Sequence, residues 1–154
     1  MTSAYLDTSA LVKQYLAEKG SDWIRSLLSI SQPPQVFTSH LTIVEATCAL
    51  ARRRREETLS CDDYLRALEA LDYDMVYRYN ILDVTPEVID GACRLAKVHP
   101  LRAYDAVQLA SALFANSRLV SLGQPAMTFV CADDLLIAIA QAEGLAADNP
   151  NYHQ

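Results

Sequence analysis

The chain has four acidic residues that could share one site in an α/β fold: Asp7, Glu45, Asp105 and Asp133. Asp7 and Asp133 each follow a short apolar run, which predicts that a buried strand ends there and a helix begins. Glu45 and Asp105 lie near the front of predicted helices, where negative charge is well tolerated. Because the carboxyl ends of parallel strands border the ligand crevice of such folds, we expect the four carboxylates to meet at one edge of the sheet.

The chemistry expected of these acids is metal binding. Carboxylates brought together raise one another's pKa values unless a positive charge lies between them. Mg²⁺ and Mn²⁺ prefer oxygen ligands and are commonly held by a few carboxylates, waters and substrate phosphate. Ser9 follows Asp7 by two residues and supplies a hydroxyl that could cap a helix and hold a metal-bound water. These residues predict phosphoryl transfer or phosphodiester cleavage with Mg²⁺ or Mn²⁺ as cofactor.

The pattern of elements predicts an α/β fold, because short β-like runs alternate with helical stretches along the chain. Strands are expected at about 4–6, 36–38, 79–84 and 128–131. Helices are expected from Ser9, at 22–29, from Leu41 to the charged run 52–57, from the cap Ser60 to about Leu71, from Pro86, from around Arg102, and from Asp133 or Asp134 to Ala142. We expect one domain over residues 1–148 and a loosely ordered C-terminal tail at 149–154.

Composition restricts the possible partners. The 154 residues are 51% hydrophobic and carry a net charge of −6, which argues against binding nucleic acid through a general basic surface. Any such contact is expected to be local and metal-assisted. The four cysteines have no paired zinc-binding spacing and are interpreted as reduced core or near-core thiols. Since the sequence shows neither an ordinary signal peptide nor a membrane-length apolar segment, we expect a cytoplasmic location.

Several motifs are spread over nearly the full length: 5–13 (YLDTSALVK), 41–46 (LTIVEA), 101–110 (LRAYDAVQLA), 129–135 (FVCADDL), Ala140, 143–145 (EGL) and 149–150 (NP). Together they resemble PIN-domain ribonucleases, particularly the VapC-type toxins of prokaryotic toxin–antitoxin pairs. The resemblance implies a three-layer α/β/α fold around a central parallel sheet of four to five short strands. It also implies a Mg²⁺- or Mn²⁺-dependent endoribonuclease that cleaves RNA phosphodiester bonds by metal-activated water, neutralised by a cognate VapB-type antitoxin. A homodimer is expected, with no membrane partner and no nucleotide cofactor.

By this resemblance Asp7, Glu45, Asp105 and Asp133 correspond to the family's acidic residues and Ser9 to its small hydroxyl residue. The fourth acid has a neighbour, Asp134, and either aspartate could face the metal. Asp133 is favoured because the next residue would then be the N-cap of the last helix.

For several other residues the sequence allows two interpretations. The arginine run 52–55 could contact RNA phosphates or an acidic partner segment, or it could be a solvated helix face. Arg102 could reach a scissile phosphate or pair with Asp105, three residues away. Tyr64, Tyr73, Tyr77 and Tyr79 could stack bases or an antitoxin helix, or could serve packing.

Three alternative functions remain open from the sequence. A haloacid-dehalogenase-like phosphatase also begins with an aspartate after its first strand, but it expects a second aspartate where this chain has Ser9. A PIN-like nuclease could process RNA outside a toxin system. A PIN-like scaffold could bind RNA or protein without cleaving it, although all four acids are present.

Overall fold

The computed structural model describes residues 1–153, which form a five-stranded, entirely parallel sheet with the strand order β3-β2-β1-β4-β5. The strands are β1 (Ser3–Leu6), β2 (Gln35–Ser39), β3 (Tyr79–Leu82), β4 (Thr128–Val130) and β5 (Ala146–Asp148). The central strand is β1, whose Leu6 is in register with Val130 of β4. The predicted parallel sheet is therefore confirmed.

Helices cover both faces of the sheet and give the predicted three layers. They are α1 (Thr8–Leu11), α2 (Ser21–Ser29), α3 (His40–Arg55), α4 (Cys61–Tyr77), α5 (Pro86–Val98), α6 (Ala103–Ser121) and α7 (Asp134–Ala142), with 3-10 turns at Val12–Gln14 and Pro150–Tyr152. One core cluster joins the sheet to α1–α4 and the other joins it to α5–α7. Alternation along β1 sends Ala4 and Leu6 into the first cluster and Tyr5 into the second, as the two-residue period of a strand requires.

Some predicted element bounds differ from the structure. The helix expected from Ser60 to about Leu71 continues to Tyr77, because Leu71 and Met75 keep its buried face apolar for another turn. The edge strand β5 was not among the four strands placed individually. Only Cys131 of the four cysteines is buried, so the expectation of core thiols is wrong for the other three. Among the helices of residues 1–153, none has the length and apolar character needed to cross a membrane.

Residues 149–153 are held against the domain, so the expectation of loose order is wrong for them; residue 154 lies outside the described residues. Asn149 is buried and caps the last 3-10 turn. The ring of His153 stacks on Trp23 of α2 with centroids 4.1 Å apart. Gly20 precedes α2 with φ +83°, and a Cβ built there would lie 2.6 Å from the Pro150 carbonyl oxygen. This close approach requires glycine at position 20.

Candidate active site

A cleft of about 700 Å³ opens above the carboxyl end of β1. Three of the four predicted acids line it: Asp7 directly after β1, Glu45 on α3 and Asp105 in the first turn of α6. Ser9 also lines the cleft. Asp133, at the end of β4, is exposed and close enough to Asp105 for its charge to act on that carboxyl. The structure thus brings the predicted site residues to one end of the sheet.

Asp7 is buried and anchored through one oxygen. Its Oδ2 accepts hydrogen bonds from the Ser9 backbone N–H at 3.1 Å and from the Ser9 hydroxyl at 2.7 Å, and the Cys131 thiol lies 3.5 Å from the same oxygen. The Ser9 hydroxyl in turn accepts from the Ala132 N–H at 2.9 Å, which joins the start of α1 to the segment after β4. Burial raises the pKa of Asp7, and the nearby Glu45 charge raises it further against the lowering effect of the Ser9 hydrogen bonds.

Glu45 is held by two side chains that the sequence did not single out. Its Oε2 accepts from the Thr8 hydroxyl at 2.6 Å and from the Gln108 amide at 2.6 Å. Gln108 lies one turn beyond Asp105 on α6, so this bond connects the helices that carry Glu45 and Asp105. Because α3 and α6 pack on opposite faces of the sheet, Gln108 joins the two layers above the strand ends.

The Gln108 side chain is itself fixed from below. Its Oε1 accepts from the Tyr5 hydroxyl at 2.6 Å, and its Nε2 donates to the Thr42 hydroxyl at 2.9 Å. The Thr42 and Thr38 hydroxyls are 2.8 Å apart, and Thr38 donates to the Leu6 carbonyl at 2.9 Å. Burial, with the Asp7 charge, raises the pKa of Tyr5 well above its usual range, so Tyr5 remains a hydrogen-bond donor. A buried polar network therefore runs from the centre of the sheet to Glu45.

Asp105 and Asp133 form a more open pair. Asp105 is half-buried, and its pKa is raised first by burial and then by the charge of Asp133, while the Arg102 guanidinium opposes the shift. Asp133 is the N-cap of α7, and its Oδ1 accepts from the Leu136 N–H at 3.0 Å. The expectation that Asp134 would be the N-cap is therefore wrong, because the helix begins one residue earlier than that argument required.

Asp134 is engaged elsewhere. Its Oδ1 accepts from the Asn149 amide at 2.7 Å and its Oδ2 from the Tyr152 hydroxyl at 2.7 Å. Both oxygens thus bind the C-terminal turn.

The polar residues around Glu45 had one signal in the sequence. Gln108 is a polar residue among the apolar positions 106, 107, 109 and 110, three residues after Asp105 and so on the same side of the helix. Thr8 had no comparable signal, because a hydroxyl after a strand is an ordinary cap residue. The tyrosines expected near the helical hairpin separate: Tyr73 and Tyr77 form an exposed pair on α4, whereas Tyr79 is buried and donates to Asp74.

The donor set suits a hard divalent cation. Each of Asp7, Glu45 and Asp133 uses one carboxylate oxygen in the hydrogen bonds described, so the second oxygen can serve as a ligand. Burial is the main cause of the raised pKa values of Asp7 and Asp105, and the charges of Glu45 and Asp133 respectively add to it; a cation would offset both effects. Within residues 1–153, no group of three or more His, Cys, Asp or Glu side chains is placed to hold a metal ion directly. Mg²⁺ is often bound through only one or two carboxylates, because it usually keeps several waters.

The model of the PIN domain family matches residues 4–124. The chain belongs to this family.

Among its relatives, Ribonuclease VapC45 of Mycobacterium tuberculosis (strain CDC 1551 / Oshkosh) is 31% identical over 144 residues, covering 94% of this chain and 93% of the relative. Solved structures also share the fold. Mycobacterium tuberculosis VapC20, described as a sarcin-ricin loop cleaving toxin, superposes with a TM-score of 0.64 at 20% identity, covering 94% of this chain and 97% of that one. A toxin-antitoxin complex from Klebsiella pneumoniae gives 0.61 at 18% identity, covering 96% and 98%.

Proposed function

We propose that this protein is a Mg²⁺- or Mn²⁺-dependent endoribonuclease and the toxin of a toxin–antitoxin pair, with RNA as substrate and a VapB-type antitoxin as partner. The ribonuclease relative supports the substrate class, since it is similar along nearly the whole of both chains. The two toxin structures of the same fold support the toxin role.

The observation that carries the proposal is the arrangement of carboxylates at one end of the sheet. Asp7, Glu45 and Asp105 line one cleft, and the charge of Asp133 acts on Asp105. An acidic cleft repels a phosphodiester by itself, so the reacting phosphate can lie among these acids only with a cation between them. Asp7, Glu45, Asp105 and Asp133 would hold Mg²⁺ or Mn²⁺, which when bound neutralises phosphate charge and makes a water more acidic.

The remaining residues of the site orient these carboxylates. Ser9 directs one oxygen of Asp7 toward the α1 backbone, which leaves the other oxygen for the cation. Thr8 and Gln108 do the same for Glu45. Arg102 also lines the cleft, and its charge lowers the pKa of Asp105. This favours the ionised carboxylate, the form that binds metal.

The test is cleavage of a total RNA pool by purified protein with Mg²⁺, Mn²⁺ or EDTA. We expect discrete products with either metal, none with EDTA, and a loss of at least about 100-fold in Asp7→Asn and Asp105→Asn, since removing a metal ligand or its support costs on that order or more. Asp22→Asn is the matched control, because the Asp22 side chain is almost fully exposed on α2. Equal cleavage by wild type and both site variants would refute the proposal.

The partners are tested separately. We propose a homodimer and a tight complex with the antitoxin. Light scattering at micromolar concentration should give twice the chain mass, and addition of the cognate antitoxin should abolish cleavage. A monomer at that concentration would contradict the dimer, and cleavage unaffected by a saturating antitoxin would contradict the toxin role.

A further inference from the structure

We propose that Arg52 and Arg55 form a binding site for the backbone phosphates of single-stranded RNA, beside the acids of the cleft. The inference deepens the proposed function, on which it rests. It decides between the interpretations that the sequence left open for the arginine run 52–55.

Arg52 and Arg55 lie on the side of α3 that borders the cleft. Residues 45, 48, 52 and 55 follow the helical spacing that places side chains along one stripe of α3. Glu45, Cys48, Arg52 and Arg55 all line the cleft. With a rise of about 1.5 Å per residue, Arg52 lies roughly 10 Å and Arg55 roughly 15 Å from Glu45 along the helix axis. An RNA strand whose reacting phosphate lies at the acids would therefore have its neighbouring phosphates beside these arginines.

Arg52 and Arg55 differ from Arg53 in how their charges are balanced. Arg53 lies in an ion pair with Glu18 at 3.0 Å, and Glu18 also binds Lys13 at 2.9 Å, so Arg53 is already neutralised. Arg52 and Arg55 are exposed, and neither makes an ion pair within residues 1–153. In a chain of net charge −6 these two guanidinium groups are a local positive surface that opens onto an acidic cleft. Guanidinium groups bind phosphate oxygens in a bidentate manner.

The four arginines also lie at the C-terminal end of α3. Basic side chains in the last turn of a helix stabilise it through the helix dipole, and all four arginines could serve that purpose. This structural role does not require a particular face. Arg54 occupies the same last turn but does not line the cleft. Arg54 is therefore the matched control, with the same chemistry and helix position and a different direction.

The experiment measures binding of a fluorescein-labelled 20-nucleotide single-stranded RNA by anisotropy, in EDTA to block cleavage, over a range of salt concentrations. Each phosphate contact to a single strand contributes about 0.7 to the slope of log K against log salt. Arg52→Gln/Arg55→Gln should lower the magnitude of the slope by about 1.4 and weaken binding about tenfold at low salt. Arg54→Gln should behave as wild type.

The Arg52→Lys/Arg55→Lys variant should restore the slope, because it keeps both charges, and unchanged thermal unfolding would show that all variants fold. A slope unchanged in the Gln double variant, or reduced equally by Arg54→Gln, would overturn the phosphate site. The phosphate site would also be overturned if the Gln double variant kept RNA binding but lost binding to polyglutamate, because that result would indicate an acidic protein segment as the partner.

Failure of the proposed nuclease function and failure of the phosphate site give different experimental results. Arginine-dependent RNA binding without cleavage by the wild type in Mg²⁺ or Mn²⁺ would refute the nuclease and leave this site standing. Cleavage with an unchanged KM in the Gln double variant would retain the nuclease and refute the site, since loss of substrate binding is expected to raise KM at constant kcat.

Discussion

The candidate site has two halves that are built differently. Asp7 and Glu45 lie against the centre of the sheet, and each has one oxygen fixed by at least two donors from residues within the fold. Asp105 and Asp133 lie further out. The Asp105 carboxyl has a backbone hydrogen bond with Arg102 but none with a side chain of the described residues, and Asp133 is exposed and uses one oxygen to cap α7. Asp7 and Glu45 form an inner half that is continuous with the core, whereas Asp105 and Asp133 form an outer half at the ends of helices.

The difference bears on how the protein tolerates an acidic site. Burial raises the pKa of Asp7, so the charged form is costly there, and the Ser9 hydrogen bonds offset part of that cost. Asp105 has solvent to screen its charge and Arg102 to oppose its neighbour. We therefore expect hydrogen bonds to fix the carboxylates of the inner half, and electrostatics and a bound cation to fix the carboxylates of the outer half.

The largest effect is expected at the centre of the inner half. Gln108→Ala removes the donor to Glu45 and leaves the buried Tyr5 hydroxyl without its acceptor. We expect a loss of roughly 2–4 kcal/mol in stability, since unsatisfied buried polar groups and cavities both destabilise. This corresponds to a Tm roughly 5–10 °C lower in a domain of this size.

Gln108→Ala should also weaken Mn²⁺ binding about 10- to 100-fold, because residues that orient ligands carry effects of that size. Thermal unfolding in EDTA and calorimetric titration with Mn²⁺ measure the two effects. Gln141→Ala, an exposed glutamine on α7, is the control. A Tm equal to that of the control would show that the network does not stabilise the inner half.

The next effect has the opposite sign. Asp7→Asn should raise the Tm of the metal-free protein by about 2–4 °C, which corresponds to about 1 kcal/mol, while abolishing cleavage. Because the folded-state pKa of Asp7 is raised, the fold loses stability as pH rises through its titration, and the variant avoids that loss. Scans from acid to neutral pH in EDTA should show the gain at neutral pH and its disappearance at low pH. A gain that does not depend on pH would exclude the carboxylate charge as its cause.

A smaller effect separates the two neighbouring aspartates. Asp133→Ala should cost about 0.5–1 kcal/mol through loss of the cap, whereas Asp133→Asn keeps the cap and removes only the charge. Both variants should lose cleavage in Mg²⁺. Asp134→Asn should keep cleavage, because Asp134 binds the C-terminal turn instead. If Asp134→Asn lost cleavage and Asp133→Asn kept it, the assignment of the fourth acid would be reversed.

The smallest change in stability is expected in the outer half. Asp105→Asn should shift the Tm by less than about 1 °C in EDTA, because this half-buried carboxylate is screened by solvent and by Arg102. The wild type should gain stability on addition of Mn²⁺, and Asp105→Asn should lose most of that gain. If Asp105→Asn raised the Tm as much as Asp7→Asn does, the two halves would not differ in the way proposed.

Much of the fold could be predicted because the sequence contains strong local signals. Apolar runs followed by Asp7 and Asp133 identified two strand ends, and Ser60 and Pro86 identified two helix starts. The edge strand β5 could not be placed, since Ala146–Asp148 contains neither β-branched nor aromatic residues. Its pairing with β4 depends on tertiary contacts. The order of residues 149–153 was missed because it, too, depends on tertiary contacts.

The sequence predicted that the acids would lie at one end of the sheet, but it did not predict the residues that hold them; their role as a functional site stays a prediction. Acids after strands are visible as a pattern, whereas Gln108 acquires its partners only when α3 and α6 meet above the sheet. Whether Asp133 or Asp134 caps α7 depends on a shift of one residue in the start of the helix, which the sequence does not determine. The direction of each arginine in the run 52–55 likewise required the helix to be placed against the cleft.

The position of β1 at the centre of the sheet has a consequence for synthesis. Its partner β4 is separated from it by more than a hundred residues, and Ala4 pairs with Thr128. A ribosome that has made the first hundred residues has produced Asp7 and Glu45 but neither Asp105 nor Asp133. A growing chain therefore cannot bring the four acids together until the segment that carries Asp133 has emerged, so the acids cannot hold a cation jointly before then.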